Sequence, residues 1–133
     1  MSTTTEELNI TTAHRPTRTA YAEDPAPKLP LTGVKIVDFT QVYMGPSATQ
    51  MLGATGADII KVARPGAGDI ARNSFPDPDG QDNPIFLAIN RNKRSISVDT
   101  RTEDGRAVLR KVMSDADVVV SNFRAGVMER MGF

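Results

Sequence analysis

The chain has 133 residues, enough for one domain of ordinary size and not for two. Its 16 Lys and Arg residues balance its 16 Asp and Glu residues, so overall charge gives no support for nucleic-acid or membrane-surface partners. The absence of cysteine excludes disulfides, thiolate metal ligands and a thiol nucleophile, and the single histidine, His14, argues against His-dependent catalysis and a metal site. With no apolar stretch of membrane-span length and no apolar signal-peptide core, we expect a cytoplasmic protein with no membrane partner.

Residues 1–30 are predicted to be a disordered arm that precedes the folded domain over residues 31–133. The arm is rich in Thr, Ala and Pro and shows no sustained periodicity. A pattern of this kind offers too little apolar surface to form a core of its own.

Apolar runs and helical patterns alternate from Val34 onward. This alternation predicts an α/β fold with a mostly parallel sheet and flanking helices. The first helix is expected to begin at Gly45-Pro46, since proline is tolerated at a first helical position, and to bury a stripe of Ala48, Met51 and Leu52. The four predicted strands cover residues 34–39, 57–62, 95–98 and 117–120.

Further elements follow the second strand. Residues 65–83 are predicted to be a long loop and residues 84–90 a short helix. Thr102 is a good N-cap for a third helix, because two acidic residues follow it near the positive end of the helix dipole. The valine run of the fourth strand is typical of a strand covered on both faces. A last short helix is expected over residues 125–131.

Each apolar run stops at a short polar segment, and three of these segments carry an arginine. If the strands are parallel neighbours, the segments lie along one edge of the sheet, which is where ligands bind in open α/β sheets. Arg64, Arg101 and Arg124 would suit an anionic ligand at that edge, because guanidinium groups match phosphate and carboxylate oxygens.

Other motifs carry weaker signals. Residues 66–71 formally match a dinucleotide fingerprint, but Pro76 and Pro78 would cut short the helix that the fingerprint requires, so a nicotinamide or flavin enzyme is disfavoured. Arg91, Lys93 and Arg94 are predicted to form a solvated basic turn near the opposite edge. No pair of carboxylates has a spacing that argues for acid–base catalysis.

Several motifs together resemble the N-terminal part of the class III CoA-transferases. They are LTGVKIVDFT at 31–40, GADIIKV at 56–62, RPGAGD at 64–69, NRNKRS at 90–95, ADVVVSNFR at 116–124 and ERMGF at 129–133. The resemblance implies a Rossmann-like large domain, a homodimer of interlocked subunits, and acyl-CoA and carboxylate substrates. Coenzyme A would be a substrate rather than a permanently bound cofactor.

The resemblance also implies which residues contact CoA. Tyr43 departs from the glutamine of formyl-CoA transferase, and Ala63 replaces a common glutamate. The positions carried over by the resemblance are Gln41, Val42, Tyr43, Met44, Arg64, Val98, Asp99, Thr100, Arg101, Asn122, Phe123, Arg124 and Arg130.

No residue of the chain is assigned a catalytic role. In the family an aspartate attacks the acyl-CoA thioester to give an anhydride, and CoA thiolate then returns to give an aspartyl-CoA thioester. That aspartate lies beyond the point matching Phe133, so we expect the chain alone to be inactive. A portion of an acyl-CoA racemase, or a non-catalytic fragment, are the alternatives.

Overall fold

A computed structural model describes residues 28–74 and 83–133. The predicted arm therefore lies almost entirely outside the described residues, as do residues 75–82 of the predicted loop.

Four parallel strands form one sheet in the described residues. They are β1 (Lys35–Asp38), β2 (Asp58–Ala63), β3 (Lys93–Ser97) and β4 (Val118–Val120). The strand order is β3-β2-β1-β4, the order in which doubly wound nucleotide-binding sheets begin. All three pairings are parallel, so every carboxyl end lies at the same edge. The predicted α/β class with a parallel sheet and flanking helices is confirmed.

Helices follow the strands at the expected places. They are α1 (Met44–Ala54), α2 (Pro84–Ile89), α3 (Glu103–Ser114) and α4 (Val127–Arg130), with a 3₁₀ turn at Ile70–Asn73. The Thr102 hydroxyl accepts a 3.1 Å hydrogen bond from the Gly105 amide, which confirms the predicted N-cap of α3. In the same way the Asn83 side chain caps α2.

The face of the sheet that packs against α3 is apolar. Val37, Phe39, Val62 and Leu109 form one buried cluster there. The Phe39 and Phe133 rings lie 5.7 Å apart between centroids, so Phe133 also packs against this cluster.

The face under α1 differs, and the stripe predicted for that helix is wrong at Ala48 and Met51, although Leu52 packs against the buried cluster of Ile36, Ala57 and Ile59. Ala48 and Met51 are exposed, while Pro46 and Thr49 are buried against the sheet. The reason lies beneath the helix, where strands β1, β2 and β3 carry charged side chains toward α1 (described below). A small and hydroxyl-bearing helix face fits those groups, and a methionine side chain does not.

The prediction for the valine strand is also wrong. β4 pairs with β1 and stands at one end of the strand order, and Val118 and Val119 are 43% and 44% exposed. A continuous apolar run does not by itself show that a strand is covered. In residues 28–74 and 83–133 no helix is long and apolar enough to cross a membrane.

Candidate functional site at the carboxyl edge of the sheet

A cavity of about 300 Å³ opens at the carboxyl edge of the sheet. Its walls come from the segments that follow all four strands, as the topology requires. Most of the lining side chains are apolar, and Arg64 and Gln41 provide polar groups at the rim. The strand-end residues in the lining are Phe39, Gln41, Ala63, Arg64, Val98, Thr100 and Phe123.

Two further cavities adjoin the first. One of about 380 Å³ shares Arg64 and Thr100 with it and is also lined by Asp99 and Arg101. The other, of about 350 Å³, shares Gln41, Ile70 and Phe123 with the central cavity. Since neighbouring cavities share walls, the edge is one continuous concave surface.

The structure brings most of the predicted ligand residues together on this surface. Arg124 and Arg130 line none of the three cavities, and Arg130 lies on α4. A role of these residues in binding CoA stays a prediction. The predicted residues that do line the cavities are Gln41, Val42, Tyr43, Met44, Arg64, Val98, Asp99, Thr100, Arg101, Asn122 and Phe123.

The segment after β1, residues 40–42, is held in place by side chains from other parts of the chain. The Thr40 amide donates to Asp38 Oδ1 at 2.8 Å, and Lys61 Nζ donates to the Thr40 carbonyl at 2.8 Å. The Gln41 amide donates to Asn122 Oδ1, and Asn122 Nδ2 donates back to the Gln41 carbonyl, both at 2.9 Å. These bonds restrict the movement of the peptide groups of Thr40 and Gln41.

Val42 is the strained member of this segment. Its φ is 70°, in the left-handed region that a β-branched residue rarely adopts. Such a conformation costs about 1–3 kcal/mol and persists only where the surroundings enforce it. Here the Val42 amide donates to Asp69 Oδ1 at 3.1 Å. Gly45 adds a second constraint, because a Cβ at that position would collide with the Thr40 side chain.

Two buried ion pairs lie beneath the segment. Lys93 Nζ is 3.0 Å from Asp38 Oδ2, with side chains 1% and 0% exposed, and Lys61 Nζ is 2.7 Å from Asp69 Oδ2, with side chains 4% and 0% exposed. Lys93 also donates to the Pro46 carbonyl at 2.9 Å. The interpretation of Lys93 as part of a solvated turn is therefore wrong, because the register of β3 points this side chain under α1.

Burial and hydrogen bonding oppose each other at these charges. Burial alone would raise the pKa of Asp38, but hydrogen bonds from Thr40 and Thr49 and the charges of Lys93 and Lys61 together bring that pKa below its ordinary value. Burial lowers the pKa of Lys93, and the neighbouring Asp38 carboxylate offsets part of that effect. The Asp38 carboxyl group is therefore ionised at neutral pH.

The arginines at the edge differ in how they are engaged. Arg101 forms a bidentate ion pair with Asp99, at 2.9 Å from Nε to Oδ1 and 2.8 Å from Nη2 to Oδ2. Side-chain hydrogen bonds from Arg101 lower the pKa of Asp99 to about 2. In the described part of the chain, the exposed guanidinium groups of Arg64 and Arg124 have no carboxylate partner. They can accept an anion without giving up an existing pair.

Sequence reasoning missed the groups that support the site. Lys61 and Asp69 were not among the candidates, although a lysine inside an otherwise apolar strand is a signal that a buried partner exists. Within the described residues no cluster of His, Asp and Glu is suited to a metal ion.

Residues 31–133 match the model of the family described as CoA-transferase family III. The chain belongs to CoA-transferase family III. The predicted resemblance is thereby confirmed.

Curated members of this family are similar to the chain. A formyl-CoA:oxalate CoA-transferase of Bradyrhizobium diazoefficiens is 50% identical over 103 residues, which are 77% of this chain and 24% of that protein. A formyl-CoA:oxalate CoA-transferase of Escherichia coli O139:H28 is 47% identical over 104 residues, 78% of this chain and 25% of its own length. The chain therefore spans about a quarter of the length of these family III relatives.

Solved structures agree with the family assignment. A CAIB/BAIF family protein from Brucella suis superposes with a TM-score of 0.73 at 41% identity, over 80% of this chain and 29% of that one. A hypothetical protein from Mycobacterium tuberculosis gives a TM-score of 0.70 at 41% identity, over 78% and 28% of the two chains. The parallel sheet with flanking helices is shared with these proteins.

Proposed function

We propose that the carboxyl edge of the sheet binds coenzyme A and its acyl thioester. The full enzyme would move CoA between an acyl-CoA and a carboxylic acid. The observation that carries the proposal is the continuous concave surface formed by all four strand ends, with the unpaired Arg64 guanidinium at its rim. Membership of family III and the names of the relatives support the same chemistry.

The chemistry of the surface matches the two parts of the ligand. CoA joins a 3′-phosphate and a pyrophosphate to a long, weakly polar arm. The cavity beside Arg64 suits the phosphates, because an unpaired guanidinium group forms strong charge-assisted hydrogen bonds with phosphate oxygens. The central cavity, with Phe39, Val62 and Met131 in its walls, suits the uncharged arm.

This chain supplies binding groups rather than the nucleophile. The carboxylates near the edge are already engaged, Asp69 with Lys61 and Asp99 with Arg101. We propose that the aspartate forming the anhydride and the aspartyl-CoA thioester lies elsewhere in a longer, dimeric enzyme. The names of the relatives favour CoA transfer over racemisation. No contact in the described residues argues for racemisation.

Binding of CoA to the purified 133-residue chain tests the proposal. CoA should raise the midpoint of thermal unfolding, because a ligand that binds only the folded state stabilises it. Arg64→Ala should weaken CoA binding roughly tenfold, as expected for the loss of one charge-assisted hydrogen bond. Lys111→Ala is the matched control, since this exposed cation lies near the C-terminal end of α3, away from the carboxyl edge.

The outcomes separate the parts of the proposal. A cooperatively unfolding chain that shows no response to CoA would contradict the binding site. Equal losses in Arg64→Ala and Lys111→Ala would point to nonspecific attraction of the phosphates. Turnover of formyl-CoA and oxalate by the chain alone would contradict the assignment of the nucleophile to another part of the enzyme.

A further inference from the structure

The contacts of Asn122 raise a question about how this residue acts. Both polar atoms of its carboxamide are used by the main chain of Gln41, one accepting from the amide and the other donating to the carbonyl. This is the pairing that a neighbouring strand would make, but it joins the segment after β4 to the segment after β1. These two bonds use one Nδ2 hydrogen and one Oδ1 lone pair, and together they fix the orientation of the carboxamide against the main chain of Gln41.

The same segment is held from beneath by the ion pair of Lys61 and Asp69. Lys61 Nζ reaches the Thr40 carbonyl at 2.8 Å, and Asp69 Oδ1 receives the Val42 amide at 3.1 Å. Lys61 and Asp69 are in turn paired with each other at 2.7 Å, with side chains 4% and 0% exposed. One buried pair therefore fixes the two ends of a segment whose middle is fixed by Asn122.

The restrained segment contains a strained backbone position in the cavity wall. Val42 has φ at 70° and lines the same cavity as Tyr43 and Met44. If its anchors are lost, Val42 is free to return to an ordinary conformation, which would move the wall. Left-handed conformations at β-branched residues are found where a site is held ready for its ligand.

We propose that Asn122, together with the Lys61–Asp69 pair, positions residues 40–42 and acts on the ligand through that segment rather than by touching it. The proposal rests on the proposed function for the identity of the ligand, and its structural part does not. Asn122 is therefore a positioning residue, whereas Arg64 is a direct contact.

Amide hydrogen exchange of the ligand-free chain tests the structural part. Asn122→Ala should remove the protection of the Gln41 amide, and it should also reduce protection of the Val42 amide, which Asn122 does not touch. Because Asn122 is exposed, the variant is expected to fold, and circular dichroism checks this. Unchanged protection of Val42 would overturn the proposal, whatever the ligand.

A double-mutant cycle with CoA tests the functional part. Asn122→Ala should weaken CoA binding about tenfold, as expected for losing two hydrogen bonds that hold the wall. Glycine adopts positive φ without strain, so the same substitution made in a Val42→Gly background should cost less than about twofold. Arg64→Ala is the control. Because Arg64 is proposed to contact the ligand directly, its substitution should weaken CoA binding by the same factor in the wild-type and Val42→Gly backgrounds.

The failures of the two proposals are distinguishable. If the wild-type chain folds and does not bind CoA, the proposed function fails, and the exchange measurement still decides the positioning role. If the chain binds CoA and Asn122→Ala loses equal affinity in both backgrounds, Asn122 is a direct contact and the positioning role is overturned.

Discussion

The two faces of the sheet are built from alternate residues of the same strands, and they are stabilised by different interactions. On the α3 side, Val37, Phe39 and Val62 pack with Leu109 in a continuous apolar cluster. On the α1 side, near the carboxyl edge, Asp38 and Lys93 are buried beside each other. One strand, β1, contributes both Val37 and Asp38, since successive side chains point to opposite faces.

The two faces of the sheet have different roles, because one mainly stabilises the fold and the other positions residues of the candidate site. Apolar burial is non-directional and scales with area, so the α3 face stabilises the fold without fixing any one loop. Buried ion pairs lose hydration and add little net stability, but their hydrogen bonds have defined geometry. The charges under α1 reach the Thr40 peptide and, through Asp69, the Val42 amide. The polar face therefore sets the conformation of residues 40–42 in the candidate site.

The largest expected effect comes from breaking the buried pair. Asp38→Ala should lower the free energy of unfolding by about 3–5 kcal/mol, because it leaves the Lys93 ammonium group buried without its partner. It also removes the acceptor for Thr40 and Thr49. Urea unfolding followed by circular dichroism measures the change.

An exposed ion pair on the same sheet is the control. Arg94 Nη2 lies 2.7 Å from Asp58 Oδ2, but the two side chains are 66% and 44% exposed. Asp58→Ala should therefore have a much smaller effect, since exposed pairs are screened by water. Equal losses in Asp38→Ala and Asp58→Ala would remove the distinction between the two kinds of pair.

A cavity in the apolar face should have a smaller effect on stability. Leu109 is fully buried, and Leu109→Ala should lower the free energy of unfolding by about 3 kcal/mol through lost burial and an unfilled space. Urea unfolding followed by circular dichroism measures the change. Val108→Ala is the control because Val108 is 46% exposed on the same helix. Equal losses in Leu109→Ala and Val108→Ala would contradict the contribution of the buried cluster to stability.

The sequence predicted the features that depend on local pattern. The strands, the N-cap at Thr102 and the shared carboxyl edge follow from apolar runs, capping chemistry and the parallel order. For that reason the strand-end residues Gln41, Arg64 and Thr100 could be expected near one another, and the structure places them in one cavity wall.

The features that the sequence could not predict depend on contacts between distant segments. Asp38 and Lys93 are 55 positions apart, and only the strand order and register bring them together. Hydrophobicity alone predicts burial of Ala48 and Met51 in α1, but the helix packs over charged side chains that three strands carry. In the same way, the exposure of β4 depends on its place in the sheet rather than on its valines.

The smallest expected effect is the acid dependence of stability, which distinguishes the charged face from the apolar one. The pKa of Asp38 is lowered in the folded chain from 3.8, so at acid pH the unfolded chain binds more protons than the folded chain. The stabilisation is therefore complete above the unfolded pKa and is lost as pH falls through the folded pKa.

Asp38→Asn combined with Lys93→Met removes this titration while Asn keeps a hydrogen-bond acceptor. Asp99 and Glu103, whose pKa values are also lowered, titrate in both proteins, so their effects cancel. Between about pH 5 and pH 2, the wild-type unfolding free energy should fall more steeply than that of the double variant. Equal slopes of unfolding free energy against pH in the two proteins would mean that the Asp38–Lys93 pair does not contribute to the acid dependence of stability.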